Sequence, residues 1–238
     1  MKYTYTDEFV KNNWDFLLEN MMGPNSIRVL EELSSTLKID DKTRILDLGC
    51  GAGLSSIMLA EKYGATVYAA DLWISPTDNY QRFKQRGLEG KIIPLSVDAR
   101  QGLPFAQEYF DIVFSVDAYH YFGTTEEMLP LVASFVKKGG YVAVAVPGLQ
   151  EEFKNGHPPE LVEFFPEEPN FHSVNWWQDL WCKADNVEFI DGREMACHKQ
   201  AWAEWLQSSN PHAVGDVKMM AVENDRYFNH VQLIAKRI

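Results

Sequence analysis

The sequence predicts an α/β fold built on a doubly wound, mostly parallel sheet. Short β-branched runs alternate with helical stretches from Arg44 onward, several of those runs are apolar on both faces, and glycines cluster where the first run ends.

The series opens with the strand "RILDLG" and the helical "LSSIMLAEKYG". It continues with strand "TVYAAD", helix "DNYQRFKQRG", strands "KIIPLSV" and "FDIVFSV", a helix from Thr124 to Lys137 and strand "GGYVAVAV". Thr124 and Glu127 have the spacing of a capping box. Gly139 and Gly140, after Lys137 and Lys138, read as that helix's stop, and Pro130 lies close enough to its start to be tolerated. Two regions break the rhythm. Residues 1–40 read as two amphipathic helices, Phe9–Asn20 and Asn25–Leu37, separated by "MMGPN"; they form an N-terminal helical lid on a domain spanning residues 41–238. Residues 148 to about 185, rich in Pro, Glu and aromatics without a clean period, read as a cap insertion, and long excursions of this kind usually carry function. "YFNHVQLIAKRI" supplies a final strand.

A chain of 238 residues with 46% hydrophobic composition supplies one sizeable core. Its 22 Lys and Arg against 34 Asp and Glu give a net charge of −12, which repels phosphate backbones, so nucleic acid is not an expected partner. Cys50, Cys182 and Cys197 lack the paired spacing of a zinc site or disulfide framework; no metal is expected, and a cytoplasmic location is. The longest apolar run, "YVAVAV", is too short for membrane insertion. The apolar lid helices offer a surface for a homodimer.

The stretch "ILDLGCGAG" places Asp47, Gly49, Gly51 and Gly53 at alternate positions. A glycine turn between strand and helix brings backbone close to a ligand at the carboxyl edge of the sheet. The dinucleotide fingerprint would need a third glycine at Leu54, and no Gly-Lys-Ser/Thr follows for a phosphate loop. Acids close the next strands as well. Asp71 is placed for a grip on ribose hydroxyls, Trp73 beyond it offers a flat face to a purine, and Asp98 with Ala99, then Asp117, close the third and fourth strands. For any one of these acids a helix N-cap or solvated turn is the competing reading.

Together "ILDLGCGAG", "ADLW", "SVDA", "FDIVFSVDAYHYF" and "VKKGGYVAV" resemble the class I S-adenosylmethionine-dependent methyltransferases, from about Thr43 to Pro147. The resemblance implies a Rossmann-like, seven-stranded sheet finished by a hairpin with one antiparallel strand, at about Asn186–Asp191 and Tyr227–Lys236. It implies S-adenosylmethionine as cofactor and S-adenosylhomocysteine as product. Gly49, Gly51 and Gly53 would border the methionyl part, with Asp47 reaching its ammonium; Asp71 would hold the ribose, and Leu72 and Trp73 would flank the adenine. Asp98 would accept from the adenine amino group while the Ala99 backbone meets the ring, and Asp117 completes the cofactor-binding acids.

Methyl transfer from a sulfonium is an in-line displacement, so alignment and exclusion of water come first, and a base matters only where the acceptor must lose a proton. "DAYHYF" lies where an acceptor would approach. There His120 is the candidate base, while Tyr119 and Tyr121 orient the acceptor or line its pocket; packing beneath the following helix is the competing reading. Methyltransferases of phosphorylated amino alcohols also place an Asp and a His in this loop, although here the His is one residue nearer the Asp. His172 is a second candidate base, Trp14, Trp176, Trp177 and Trp181 are candidate pocket walls, and "MMGPN" is placed to close over the methionyl end. The expected function is methyl transfer to a small-molecule acceptor. Methylation of a protein or peptide side chain and a non-catalytic cofactor-binding subunit are the alternatives, and the glycine spacing disfavours a nicotinamide dehydrogenase.

Overall fold

Seven strands form one sheet, in the order β3-β2-β1-β4-β5-β7-β6, with β1 Arg44–Leu48, β2 Thr66–Asp71, β3 Ile92–Ser96, β4 Phe110–Val116, β5 Val136–Leu149, β6 Val187–Glu194 and β7 Phe228–Arg237. The computed structural model describes residues 4–165 and 170–238; positions 1–3 of the expected lid and 166–169 of the expected insertion lie outside the described residues. Strands β1 to β5 pair in parallel, and β7 enters antiparallel between β5 and β6. The expected terminal hairpin is therefore present, near the positions the resemblance implied.

The period of two along each strand divides the core between the two faces of the sheet. Ile45, Val67, Phe114 and Ala143 point to one apolar cluster, shared with helices α3 Ser26–Ser34, α4 Leu54–Tyr63 and α8 His198–Trp205. Leu46, Ala70, Val113 and Val142 point to the other, shared with α6 Met128–Ser134 and α7 Val174–Trp181. Helix α5 Pro76–Gln85 starts where Ser75 caps it and Pro76 fits its first turn, and it buries Phe83. Helix α9 Pro211–Glu223 completes the long β6–β7 connection.

Four expectations change. The helix expected over Phe9–Asn20 is two, α1 Thr4–Asn12 and α2 Trp14–Asn20, because Asn13 leaves helical backbone (φ −126°, ψ 25°) and its amide donates to the Phe9 carbonyl. The helix expected over Thr124–Lys137 contracts to α6, and Thr124 and Glu127 form no capping box; Glu127 is the N-cap and makes no side-chain cap bond. Gly139 and Gly140 do not stop that helix but lie in β5, where the register jumps from Phe110↔Val136 to Ile112↔Tyr141. A Cβ on Gly140 would sit 2.4 Å from the Asp111 carbonyl, so the bulge admits only glycine there. Finally, Gly148 and Leu149 are strand, and α7 packs on β6 and β7, so the cap reading fails for both ends of residues 148–185.

Helix α3 is held as a core element rather than as a flap. Arg28 grips Glu204 of α8 through Nε–Oε1 (3.1 Å) and Nη2–Oε1 (2.8 Å), Asn25 Nδ2 donates to Glu204 Oε2 (2.6 Å), and Arg28 Nη1 also meets Asp7 of α1.

Candidate active site

Two adjoining clefts open at the carboxyl edge of β1, β2 and β4. One, of about 330 Å³, is lined by Asp71, Leu72, Trp73, Asp98, Ala99 and Tyr121 among others; the second, of about 110 Å³, lies between the glycine turn, residues 20–24 and Asp117. They share Gly49, Asp71, Trp73, Ala118 and Tyr121.

The glycine turn is required by its surroundings. Gly49 and Gly53 have φ of +80° and +83°; a Cβ on Gly49 would stand 2.2 Å from the Ala118 Cβ, and one on Gly53 2.5 Å from the Phe83 ring. A Cβ on Gly51 (φ +54°) would instead meet Met22, at 3.1 Å from its Sδ. Asp71 then fixes the turn: Oδ2 accepts from Gly51 N (2.8 Å), while Oδ1 accepts from Trp73 N (2.8 Å) and Ile74 N (2.9 Å). One short carboxylate thus ties the end of β2 to the turn after β1. A second tie runs from Asn20 through Arg82 Nε (2.8 Å) and Arg82 Nη1–Asn79 Oδ1 (2.9 Å) to Asn79 Nδ2–Gly51 O (2.9 Å), so residues of the "MMGPN" stretch line the second cleft in a fixed position.

The other acids differ sharply. Asp47 is fully buried and lines neither cleft; its Oδ2 accepts from Ser55 and Ser56 (both 2.6 Å), Oδ1 has no partner, and burial raises its carboxyl to about 6. Ser55, which donates to it, does line the second cleft. Asp98 lines the first cleft but is gripped by Arg100 Nε (2.9 Å) and Nη2 (3.0 Å) and by Gln101 Nε2 (3.1 Å), and the guanidinium holds its carboxyl down at about 2. Trp73 and Tyr121 stand exposed with ring centroids 5.0 Å apart.

"DAYHYF" does not act as one unit. Residues 119–121 form a 3-10 turn, whose three residues per turn send consecutive side chains in three directions. Tyr121 faces the clefts. Tyr119 is fully buried against Trp177 and Trp181, not at the acceptor, and Gly123 folds over its ring with no room for a Cβ (2.0 Å). His120, the candidate base, lines neither cleft: it is buried beside Phe171, and desolvation lowers it to about 4 against the pull of Asp117. Trp14, His172 and Trp176 also lie outside both cleft linings. Trp14 packs on the core, and His172 stacks on Trp176 (3.6 Å, 7°) while Nδ1 meets Glu152 Oε2 at 3.1 Å. Trp177 and Trp181 are core beneath β6 and β7.

The feature the sequence did not display is a buried histidine pair. His230 Nε2 lies 3.1 Å from Asp117 Oδ1, and His230 Nδ1 lies 3.0 Å from His198 Nδ1. Its signal was present in β7: a strand covered on both faces carries His230, Asn229 and Gln232 inside, and buried polar groups need partners.

His120 and His198 give a testable acid limb. Burial lowers them from 6.5 to about 4 and about 3, so their contribution to stability is whole above pH 6.5 and is lost as pH falls toward those values. Asp47 acts oppositely, since its raised carboxyl loses stability as pH rises through about 6. Two groups with larger shifts outweigh one. Each histidine costs about 1.4 kcal/mol per pH unit in the window, so the melting temperature is expected to drop by several degrees between pH 7 and pH 5, with His120→Asn shallowing the slope; a flat profile contradicts the burial argument.

Residues 45–140 match the family model described as a methyltransferase domain. The chain is 29% identical over 119 residues to the methyltransferase GfsG of Streptomyces halstedii, covering 50% of this chain and 42% of that one. It is 33% identical over 126 residues to a ubiquinone biosynthesis O-methyltransferase of Rhizobium johnstonii, covering 51% and 44%. The chain spans less than half the length of these curated relatives. In fold it is similar to geranyl diphosphate C-methyltransferase from Streptomyces coelicolor A3(2), a structure in complex with Mg2+, geranyl diphosphate and S-adenosyl-L-homocysteine, at TM-score 0.72 and 14% identity, covering 90% of this chain and 78% of that one.

Proposed function

From its place in the class I S-adenosylmethionine-dependent methyltransferase family, we propose that the chain binds S-adenosylmethionine across the two clefts and transfers its methyl group to a small-molecule acceptor. The observation that carries this reading is the meeting of the glycine turn, Asp71 and Trp73 where the clefts join.

The residues fit the cofactor. Asp71 Oδ2 accepts only one backbone N–H and retains capacity for a ribose hydroxyl, while exposed Leu72 and Trp73 offer apolar surface to the adenine. Ala99 borders the same space, and Asp98 stands ready oriented by Arg100. The turn through Gly49, Gly51 and Gly53, with Ser55 and Met22 opposite, accommodates the methionyl portion. When bound, the sulfonium supplies an electrophilic methyl group. The protein's task is then alignment of the acceptor and exclusion of water, to which residues 20–24 and the Trp73–Tyr121 pair contribute. The narrow second cleft supports a small acceptor over a protein side chain.

The test uses cofactor labelled in the transferred methyl group. Incubation with a small-molecule extract is expected to yield S-adenosylhomocysteine and label in the low-mass fraction. Label confined to macromolecules, or absence of turnover with every fraction, overturns the proposal.

A further inference from the structure

Building on that reading, we propose that Asp117, which the sequence analysis grouped with the cofactor-binding acids, instead meets the methyl acceptor, that His230 is its positioning residue, and that the acceptor atom bears a proton.

The placement comes first. Asp117 ends β4 at the wall of the second cleft, across from the glycine turn, with its N–H on the Ala145 carbonyl (2.8 Å). Its backbone is left-handed, φ +53°, a conformation that non-glycine residues adopt rarely and that collects at functional sites. Its side chain is 15% exposed.

Hydrogen-bond polarity then fixes the support behind it. A carboxylate only accepts, so His230 Nε2 donates to Asp117 Oδ1, and the other nitrogen of that ring, Nδ1, is held by His198 Nδ1 at 3.0 Å. His230 is fully buried and His198 nearly so, and burial lowers His198, which keeps that ring in its neutral form. This chain holds one carboxylate oxygen and leaves the other, Oδ2, buried with no partner. The titratable groups around Asp117 are His120, His230, Tyr121 and Cys197, and among these only His230 donates to it. A ligand's N–H or O–H at the cleft wall is the donor that completes the carboxylate.

The chemistry of the acceptor follows from what Oδ2 lacks. Among the described residues lining the second cleft, the charged side chains are Asp71 and Asp117, with no Lys or Arg. An amine or hydroxyl acceptor carries the N–H or O–H that would complete Oδ2. As the acceptor's lone pair forms its bond to the methyl carbon, the carbon–sulfur pair remains on sulfur, and the acceptor's proton passes to Asp117. The neutral acid returns it to solvent when the product leaves.

Sinefungin tests this without a known acceptor, because it carries an amine where the transferred methyl group would be. Calorimetry compares sinefungin with S-adenosylhomocysteine on the full chain. The wild type is expected to prefer sinefungin, and Asp117→Asn to cut sinefungin affinity about tenfold or more while S-adenosylhomocysteine stays within about twofold. Asn tolerates the left-handed backbone and can still accept from His230, so the variant keeps its fold. His230→Gln, a donor of similar reach, is expected to retain the preference and His230→Phe to lose it, while His120→Asn changes neither ligand. Equal losses for both ligands in Asp117→Asn, no loss, or a preference that follows His120 overturns the inference. Failure of the wild type to bind S-adenosylhomocysteine would instead remove the cofactor reading, and this inference with it.

Discussion

Asp71→Ala is expected to abolish the rise in melting temperature caused by S-adenosylhomocysteine and to destabilise the free protein by about 3 kcal/mol. Three backbone N–H groups lose their acceptor at once, that of Gly51 in the glycine turn and those of Trp73 and Ile74 after β2. The energetic cost follows from donors left unpaired in a residue environment only 7% exposed. The functional cost follows from the Gly51 turn losing its anchor to β2. Asp71→Asn separates the two: its oxygen can still serve Trp73 and Ile74, but its amide opposes the Gly51 N–H, so binding weakens while most stability survives. Thermal denaturation of each variant with and without S-adenosylhomocysteine reads both effects, and a full ligand-induced shift in Asp71→Ala would place the ribose elsewhere.

Glu204→Ala is expected to cost about 3–5 kcal/mol, the range for breaking a buried ion pair from one side. Arg28 and Glu204 side chains are 9% and 11% exposed, and after the change Arg28 retains only Asp7, on a largely exposed side chain, while Asn25 Nδ2 loses its acceptor. The effect reaches the site, because Asn25 directly follows the stretch that lines the second cleft. Denaturant unfolding should show the loss, and the double variant Arg28→Met, Glu204→Leu should recover much of it, since no charge is then stranded. A loss under about 1 kcal/mol would mean that water reaches the pair.

What the sequence displayed, and what it hid, divides by range of interaction. Strands β1, β4 and β5 were legible because burial on both faces leaves apolar runs, and the alternate glycines named the turn that Gly49 and Gly53 require sterically. Local signals misled where tertiary pairing competed with them. "VKKGG" carries a helix-stop pattern, yet Val136 pairs with Phe110 and the glycines serve a bulge. "DAYHYF" hid its geometry because a 3-10 turn scatters Tyr119, His120 and Tyr121, where a strand reading keeps the two tyrosines together. The Asp117–His230 contact joins residues 113 apart, through a strand whose position between β5 and β6 no local period encodes. Trp176 read as a pocket wall and His172 as a candidate base, but α7 packs on β6 and β7 and His172 stacks on Trp176.

The direct test of the central claim is a calorimetric titration of the folded chain with S-adenosylhomocysteine. One site per chain with a dissociation constant on the order of micromolar, about −8 kcal/mol, is the expected result. Absence of saturable heat at ligand concentrations near a millimolar, on protein that melts cooperatively, would contradict the assignment of the two clefts to an adenosyl cofactor.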